Sequence, residues 1–183
     1  NLKGNNSAID NFLSGEDIVL DQELFIFDIE ASIAHALELK EIKVLNATEC
    51  KKIITSLNKL AKLFKAKKYK LTAKYEDCHS AIEDFLIKEL GPIGKKIHTG
   101  RSRNDQVMVA MRLYAQAKLH EVQVANIKIA KVFLDKALKH SVDPMPGYTH
   151  LQRAMPSTWG LWFSAFAESF TDNAELLENT RSW

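Results

Sequence analysis

Glycine and proline are scarce in this chain, seven and four among 183 residues, and between Gly100 and Pro144 there is neither. Turn-rich β architectures need many such breakers, and no stretch sustains period-2 alternation of apolar and polar residues. The reading is therefore all-α. Cysteine is nearly absent. Cys50 and Cys78 fall on predicted helices without metal-ligand spacing, which excludes a disulfide scaffold and predicts free thiols. No apolar run reaches the length of a membrane span, so no membrane partner is expected. A formal charge of +2 gives no bias toward a polyanionic partner. No leader of charged, apolar and small-residue regions opens the chain. It starts at Asn1 rather than at Met, which is consistent with a genuine start further upstream. With 46% apolar and 26% charged residues the chain can bury a core, and a cytoplasmic location is the expectation.

What is present is helical periodicity. The opening to about Glu16 is polar and reads as irregular. From Asp17 or Asp21 to Lys40, residues Leu24, Phe27, Ile33, Ala36 and Leu37 recur at helical spacing. Asn46 with Glu49 three positions on forms a capping-box pattern ahead of Ile53, Leu57 and Leu60. A third helix is predicted from Tyr75 to Leu90, closed by Gly91-Pro92. A helix filling most of the span from Gly100 to Pro144 would be about 60 Å long. Its apolar positions, from Val107 through Ala125 and Phe133 to Ala137, spread so widely that it must be covered on several sides, as in a bundle or at a subunit interface. Asp143 to Gly147 breaks it, and Pro156 suits the first turn of one more helix carrying Trp159, Trp162, Phe163 and Phe166. A boundary is expected near Ser102. Residues 1–102 form a small N-terminal helical domain, and 103–183 begin a central long-helix bundle that is truncated.

The chemistry concentrates in Ile97-His98-Thr99-Gly100-Arg101-Ser102-Arg103-Asn104-Asp105-Gln106-Val107, which runs straight into that long helix. A glycine and polar donors at a helix mouth hold anions, and an arginine fork grips a carboxylate with two parallel bonds. The stretch is read as a carboxylate or phosphate site. The plainer alternative is a cap of Thr99 or Ser102 beside solvated arginines.

Lysines, an acidic cluster and the histidines offer other candidate chemistry. Seven lysines between Lys59 and Lys74 alternate with Leu60, Phe64, Tyr69 and Leu71. They fit the polar face of an amphipathic helix and its exit loop better than a nucleic-acid surface, so no nucleic acid is expected. Glu76-Asp77-Cys78-His79 with Glu83 offers carboxylates and an imidazole on one helical face. No second His/Glu pair accompanies it, and no metal is assigned. His35, His120 and His140 lie within helical patterns and are read as structural or exposed, whereas His98 adjoins the polar stretch. His150 follows Gly147-Tyr148-Thr149 in a loop, with Gln152 just beyond. It is a candidate general acid or base, because imidazole titrates near neutrality, or else a capping histidine.

Read as strings, the stretch around Arg101-Ser102-Arg103-Asn104-Asp105-Gln106 and the downstream Gly147-Tyr148-Thr149-His150-Leu151-Gln152-Arg153-Ala154-Met155-Pro156 resemble two signatures of the argininosuccinate lyase family, in the aspartase/fumarase superfamily. The resemblance extends from about Phe12 to Trp183. It implies a β-elimination that releases arginine and fumarate, as in arginine biosynthesis or the urea cycle, without a cofactor. It also implies a homotetramer whose active sites each draw on three subunits. By family precedent Arg103 and Asn104 contact the substrate, Thr149 binds a carboxylate and His150 takes part in proton transfer. Asp21 matches an acidic position facing the arginine end of the substrate. His79 matches a position at the active-site entrance, and with Ser102 and Gln152 it is a candidate supporting residue. Asp17 stands where the family usually has serine, which puts substrate contacts at that edge in question.

The family's third signature, a glycine/serine loop ending in lysine-asparagine-proline, does not occur in these residues. Its serine is the residue usually assigned to abstract the carbon-bound proton. Residues 1–183 alone are therefore expected to be inactive. Three readings compete with the arginine branch: another fumarate-releasing lyase of the superfamily, such as adenylosuccinate lyase; a non-catalytic relative, such as the lens crystallins; and a helical oligomerisation module whose arginines are only caps.

Overall fold

A computed structural model describes residues 16–72 and 74–182. The opening segment expected to be irregular, including Phe12, lies outside the described residues, as does Trp183. The chain separates into two compact units, Asn1–Tyr114 and Ala115–Trp183.

In the first unit, α1 (Asp17–Glu41), α2 (Ala47–Lys65) and α3 (Cys78–Leu90) surround one core. Phe25, Ile29, Leu39, Leu45, Ile53, Leu57, Leu60 and Leu86 are fully buried there, each worth about 1.5–3 kcal/mol. The capping box opening α2 is complete: Asn46 Oδ1 accepts the Glu49 amide at 2.9 Å, and Glu49 Oε2 accepts the Asn46 amide at 3.0 Å. α3 begins three residues later than its periodicity suggests. Asp77, in extended backbone, caps it by accepting the Ser80 amide at 2.8 Å. Gly91, at φ +60°, ends α3, and Pro92 opens the single turn of α4 (Pro92–Lys95). A 3₁₀ turn (Lys96–His98) and Gly100, at φ +66°, then lead into α5 (Arg103–Lys139).

α5 has 37 residues, a length of about 55 Å. Its first three turns belong to the first unit, where the Tyr114 ring meets Phe27 edge-on at 5.7 Å. Along the whole helix only Gln106, Ala110 and Ala137 are buried.

The second unit holds the rest of α5, a hairpin of β1 (Pro144–Thr149) and β2 (Gln152–Thr158), and α6 (Trp159–Arg181). Phe133 of α5 lies between Phe166 and Phe170 of α6, with ring centroids 5.3 and 5.8 Å away. α6 can approach because position 160 is glycine: a Cβ there would come within 2.5 Å of Ser141 Cα.

The helical class holds, and the antiparallel ribbon is an addition to it. Pro156 does not open the last helix. It sits in β2 opposite Pro146, and α6 starts at Trp159, capped by Thr158 Oγ1, which accepts the Leu161 amide at 3.1 Å. A two-stranded ribbon has only edges, so a proline lacking its N–H is tolerated in it. Proline-rich strands of this kind show no alternation to read. Gly147 falls at a register shift, where a Cβ would lie 2.6 Å from the Met155 carbonyl oxygen.

Candidate active site

The polar stretch does cap the long helix, but its arginines are not free in solvent. Ser102 Oγ accepts the Asn104 amide at 3.2 Å, and Asp105 Oδ2 accepts the Ser102 amide at 3.2 Å. This reciprocal pair starts α5 at Arg103. The Arg101 side chain is only 7% exposed. Its Nη1 donates to Ser32 Oγ at 3.0 Å, and its Nη2 stands 3.7 Å from Asp28 Oδ1. Arg103 turns to the start of α3, with Nε donating to Asp77 Oδ2 and Nη2 to Ser80 Oγ, each at 2.7 Å.

α3 is thereby tied down from several directions. Asp21 Oδ2, on α1, accepts its first amide, that of Cys78, at 2.8 Å. Burial by itself would raise the Asp77 carboxyl; the Ser80 amide and the Arg103 guanidinium outweigh it and hold the group below the ordinary carboxylate range. One turn inside, His79 Nδ1 meets Asp28 Oδ2 at 2.6 Å. Asp28 Oδ1 has no hydrogen-bond partner among the described residues. A cavity of about 10 Å³, near the least that holds a water, opens beside His79, Glu83, His98, Arg101 and Arg103.

Asp28, Cys78 and His79 place one potential metal-ligand atom each within 4.8 Å of one another. The Asp28 and His79 atoms, 2.6 Å apart, are closed on each other. Two ligands bound tetrahedrally at zinc distances would stand about 3.3 Å apart. Arg101 beside the carboxylate further opposes a cation. The arrangement is a buried hydrogen-bonded carboxylate–imidazole pair, and Glu76 and Glu83 do not join it.

The structure thus gathers Asp21, His79, Ser102, Arg103 and Asn104 in the first unit, with Asn104 exposed at the mouth of α5. His35 also serves this mouth, its Nε2–H donating to the Thr99 carbonyl at 3.1 Å. Thr149, His150 and Gln152 belong to the second unit. His150 and Leu151 are the two turn residues of the hairpin, both left-handed at φ +50° and +63°, with Thr149 paired to Gln152 across them. The expected loop is therefore a tight turn of the primed kind, usually made by Asn and Gly. Strain of this sort collects at functional positions. Leu151 is 98% exposed.

Asp28, Ser32 and Ser80 did not stand out in the sequence. A signal for the first two existed, because Phe25, Asp28, Ile29 and Ser32 share one helical face. A carboxylate on an otherwise apolar buried stripe needs a partner.

Comparison with known proteins bears on the family and the fold of the chain. The lyase family matches residues 5–182. Argininosuccinate lyase from Xanthomonas euvesicatoria pv. vesicatoria is 48% identical over 174 residues, covering 95% of this chain and 40% of that protein. The enzyme of the same name from Stenotrophomonas maltophilia is 47% identical over 176 residues, 96% of this chain and 41% of that protein. The chain thus spans about two fifths of the length of these curated relatives. Among solved structures, an EDDS lyase variant with bound fumarate superposes with a TM-score of 0.76 at 24% identity, covering 98% of this chain and 35% of that one. A fumarate lyase:delta crystallin from Brucella melitensis gives 0.74 at 19% identity, covering 88% of this chain and 40% of that one. These two likenesses concern the fold. With a match that runs over nearly its whole length, this chain belongs to the lyase family.

Proposed function

We propose that the intact protein is an argininosuccinate lyase of arginine biosynthesis or the urea cycle, located in the cytoplasm. The observation that carries this reading is the mouth of α5. Arg103 is held by Asp77 and Ser80 while Asn104 stays exposed beside it, within a chain 48% identical to an enzyme of that name.

The elimination removes a proton from the carbon beside a carboxylate and breaks the carbon–nitrogen bond. Fumarate forms, and the nitrogen departs as part of the arginine guanidino group. Charge spreads onto the carboxylate before the bond breaks, so fixed donors aimed at that carboxylate lower the barrier. Arg103, Asn104 and Thr149 supply those donors in this reading. His150 handles a proton, and Asp21 faces the cationic arginine end. His79, Ser102 and Gln152 support them from behind. The electron flow is complete without metal or cofactor.

Residues 1–102 are read as an N-terminal helical domain and 103–183 as the incomplete start of a central bundle. Exposed Val122, Ile129, Val132, Trp159, Trp162 and Phe166 favour assembly, here a homotetramer with sites shared between subunits.

The test is fumarate release by the full-length protein, offered argininosuccinate and adenylosuccinate in turn. Release from argininosuccinate is expected. Release from adenylosuccinate alone would move the protein to the sister branch, and release from neither would leave an assembly module. Residues 1–183 by themselves should release none.

A further inference from the structure

On the first unit, apart from the mouth of α5, lies a cavity of about 480 Å³. Gln22 and Ile26 of α1 form one side; Phe64 and Lys65 at the end of α2, with the exit segment 67–71, form the other. That segment is pinned. Lys67, at φ +58°, donates its amide to the Phe64 carbonyl at 2.8 Å, and the Lys68 amide reaches the Leu63 carbonyl at 2.8 Å. This crossed pair is a Schellman turn with lysine where glycine is usual. The Tyr69 ring stacks on Phe25 at 5.7 Å, presents itself to Phe85 at 5.9 Å, and sends its hydroxyl to the Ala81 carbonyl at 3.3 Å. The cavity therefore has a rigid apolar wall.

Its rim carries a single sign of charge. Lys65, Lys67 and Lys70 are exposed, no ion pair engages them among the described residues, and no carboxylate lines the cavity. Some other lysines of this unit are neutralised, Lys59 by Glu89 at 2.8 Å and Lys96 by Glu49 at 2.7 Å, whereas Lys51, Lys52 and Lys62 also have no ion pair among the described residues. An apolar pocket of this volume is the size that takes small molecules, and three unneutralised cations at its mouth select an anion. A bare inorganic anion would leave the apolar wall unused. A nucleic acid would need exposed ring faces to stack on, and the half-buried Tyr69 ring is engaged by Phe25 on one face and by Phe85 edge-on.

We propose that this cavity is a binding site for a small amphipathic carboxylate, its apolar body against Ile26, Phe64, Tyr69 and Leu71 and its carboxylate among Lys65, Lys67 and Lys70. The site is separate from the lyase reading and does not depend on it.

Octanoate and its neutral analogue octan-1-ol are the probes, titrated calorimetrically into the full-length protein. Octanoate should bind with an affinity that falls as salt is added. Octan-1-ol should bind at least about tenfold more weakly. The triple variant Lys65→Gln, Lys67→Gln, Lys70→Gln alters only exposed side chains and should fold like the parent by circular dichroism, yet lose octanoate affinity by at least about tenfold. Absence of octanoate binding, as when another part of the full-length chain fills the cavity, overturns the proposal. So does equal binding of the two probes, or unchanged binding by the triple variant.

Discussion

His79 Nδ1 and Asp28 Oδ2 stand 2.6 Å apart with their side chains 4% and 0% exposed. Two residues separated by 51 positions thereby clamp the first turn of α3 to the middle of α1, directly beneath the signature arginines. Removing one member of a buried pair leaves the other unmatched, at about 3–5 kcal/mol. Asp28→Asn should therefore destabilise the protein by that amount in urea unfolding. Adding His79→Gln should cost much less than the sum of the two single changes. A cost below about 1 kcal/mol for Asp28→Asn would show that the pair contributes little.

The hairpin turn offers a gain rather than a loss. Leu151 is almost fully exposed and left-handed, so glycine there relieves strain without removing packing. Leu151→Gly should raise stability by about 0.5–1 kcal/mol, read as a higher melting temperature. A lower one would mean that the leucine is covered in the intact protein.

Gly160 answers the other way. An added methyl would sit 2.5 Å from Ser141 Cα and 2.8 Å from the Ala137 carbonyl oxygen, and backbone cannot move aside cheaply. Gly160→Ala should cost about 1–3 kcal/mol, despite alanine's better helix propensity. Thermal unfolding of the two proteins side by side checks this.

Acid should loosen the mouth of α5. Burial pushes the His35 imidazole below its usual 6.5, Arg101 pushes the same way, and the Thr99 carbonyl and Glu38 only partly oppose them. The folded protein then binds this proton less readily than the unfolded chain. Its contribution to stability is complete above about pH 6.5 and declines as pH falls below that value. The depressed Asp77 carboxyl adds a second loss of the same sign, starting below about pH 4. Denaturant midpoints compared at neutral pH and near pH 5 should differ, and less so in His35→Gln. An equal difference in that variant would acquit His35.

If the full-length protein has the proposed lyase activity, His150→Asn should reduce turnover by roughly 10²–10⁴, with substrate affinity changing much less. Arg103→Lys keeps the charge but cannot reach Asp77 and Ser80 together, so substrate binding should weaken as well. Steady-state kinetics on argininosuccinate would separate these effects. Near-normal turnover by His150→Asn would make that histidine structural.

Local chemistry made much of the fold legible. The Asn46–Glu49 box, the Gly91-Pro92 stop and the unbroken run after Gly100 each act within a few residues, and all three stand where periodicity put them. The Ser102 cap was legible as an alternative, and it turned out to coexist with partnered arginines. The ribbon of 144–158 was not legible, because Pro146 and Pro156 mimic helix boundaries and His150-Leu151 is an unusual pair for so tight a turn. Nor was the clamp of Asp28 on His79, or of Arg101 on Ser32. Those contacts join positions 51 and 69 residues apart, a separation that periodicity does not encode.

Cys50 and Cys78 are 3% and 0% exposed, and Cys50 Sγ donates to the Ala36 carbonyl. Burial, reinforced by the carboxylates of Asp28, Asp21 and Asp77, pushes the Cys78 thiol up, far from its reactive form. Both sulfurs are thus shielded from alkylating reagents and oxidants while the first unit stays closed. Each becomes accessible only when the helices around it part, so the rate at which a thiol-specific dye is consumed measures how often that core opens.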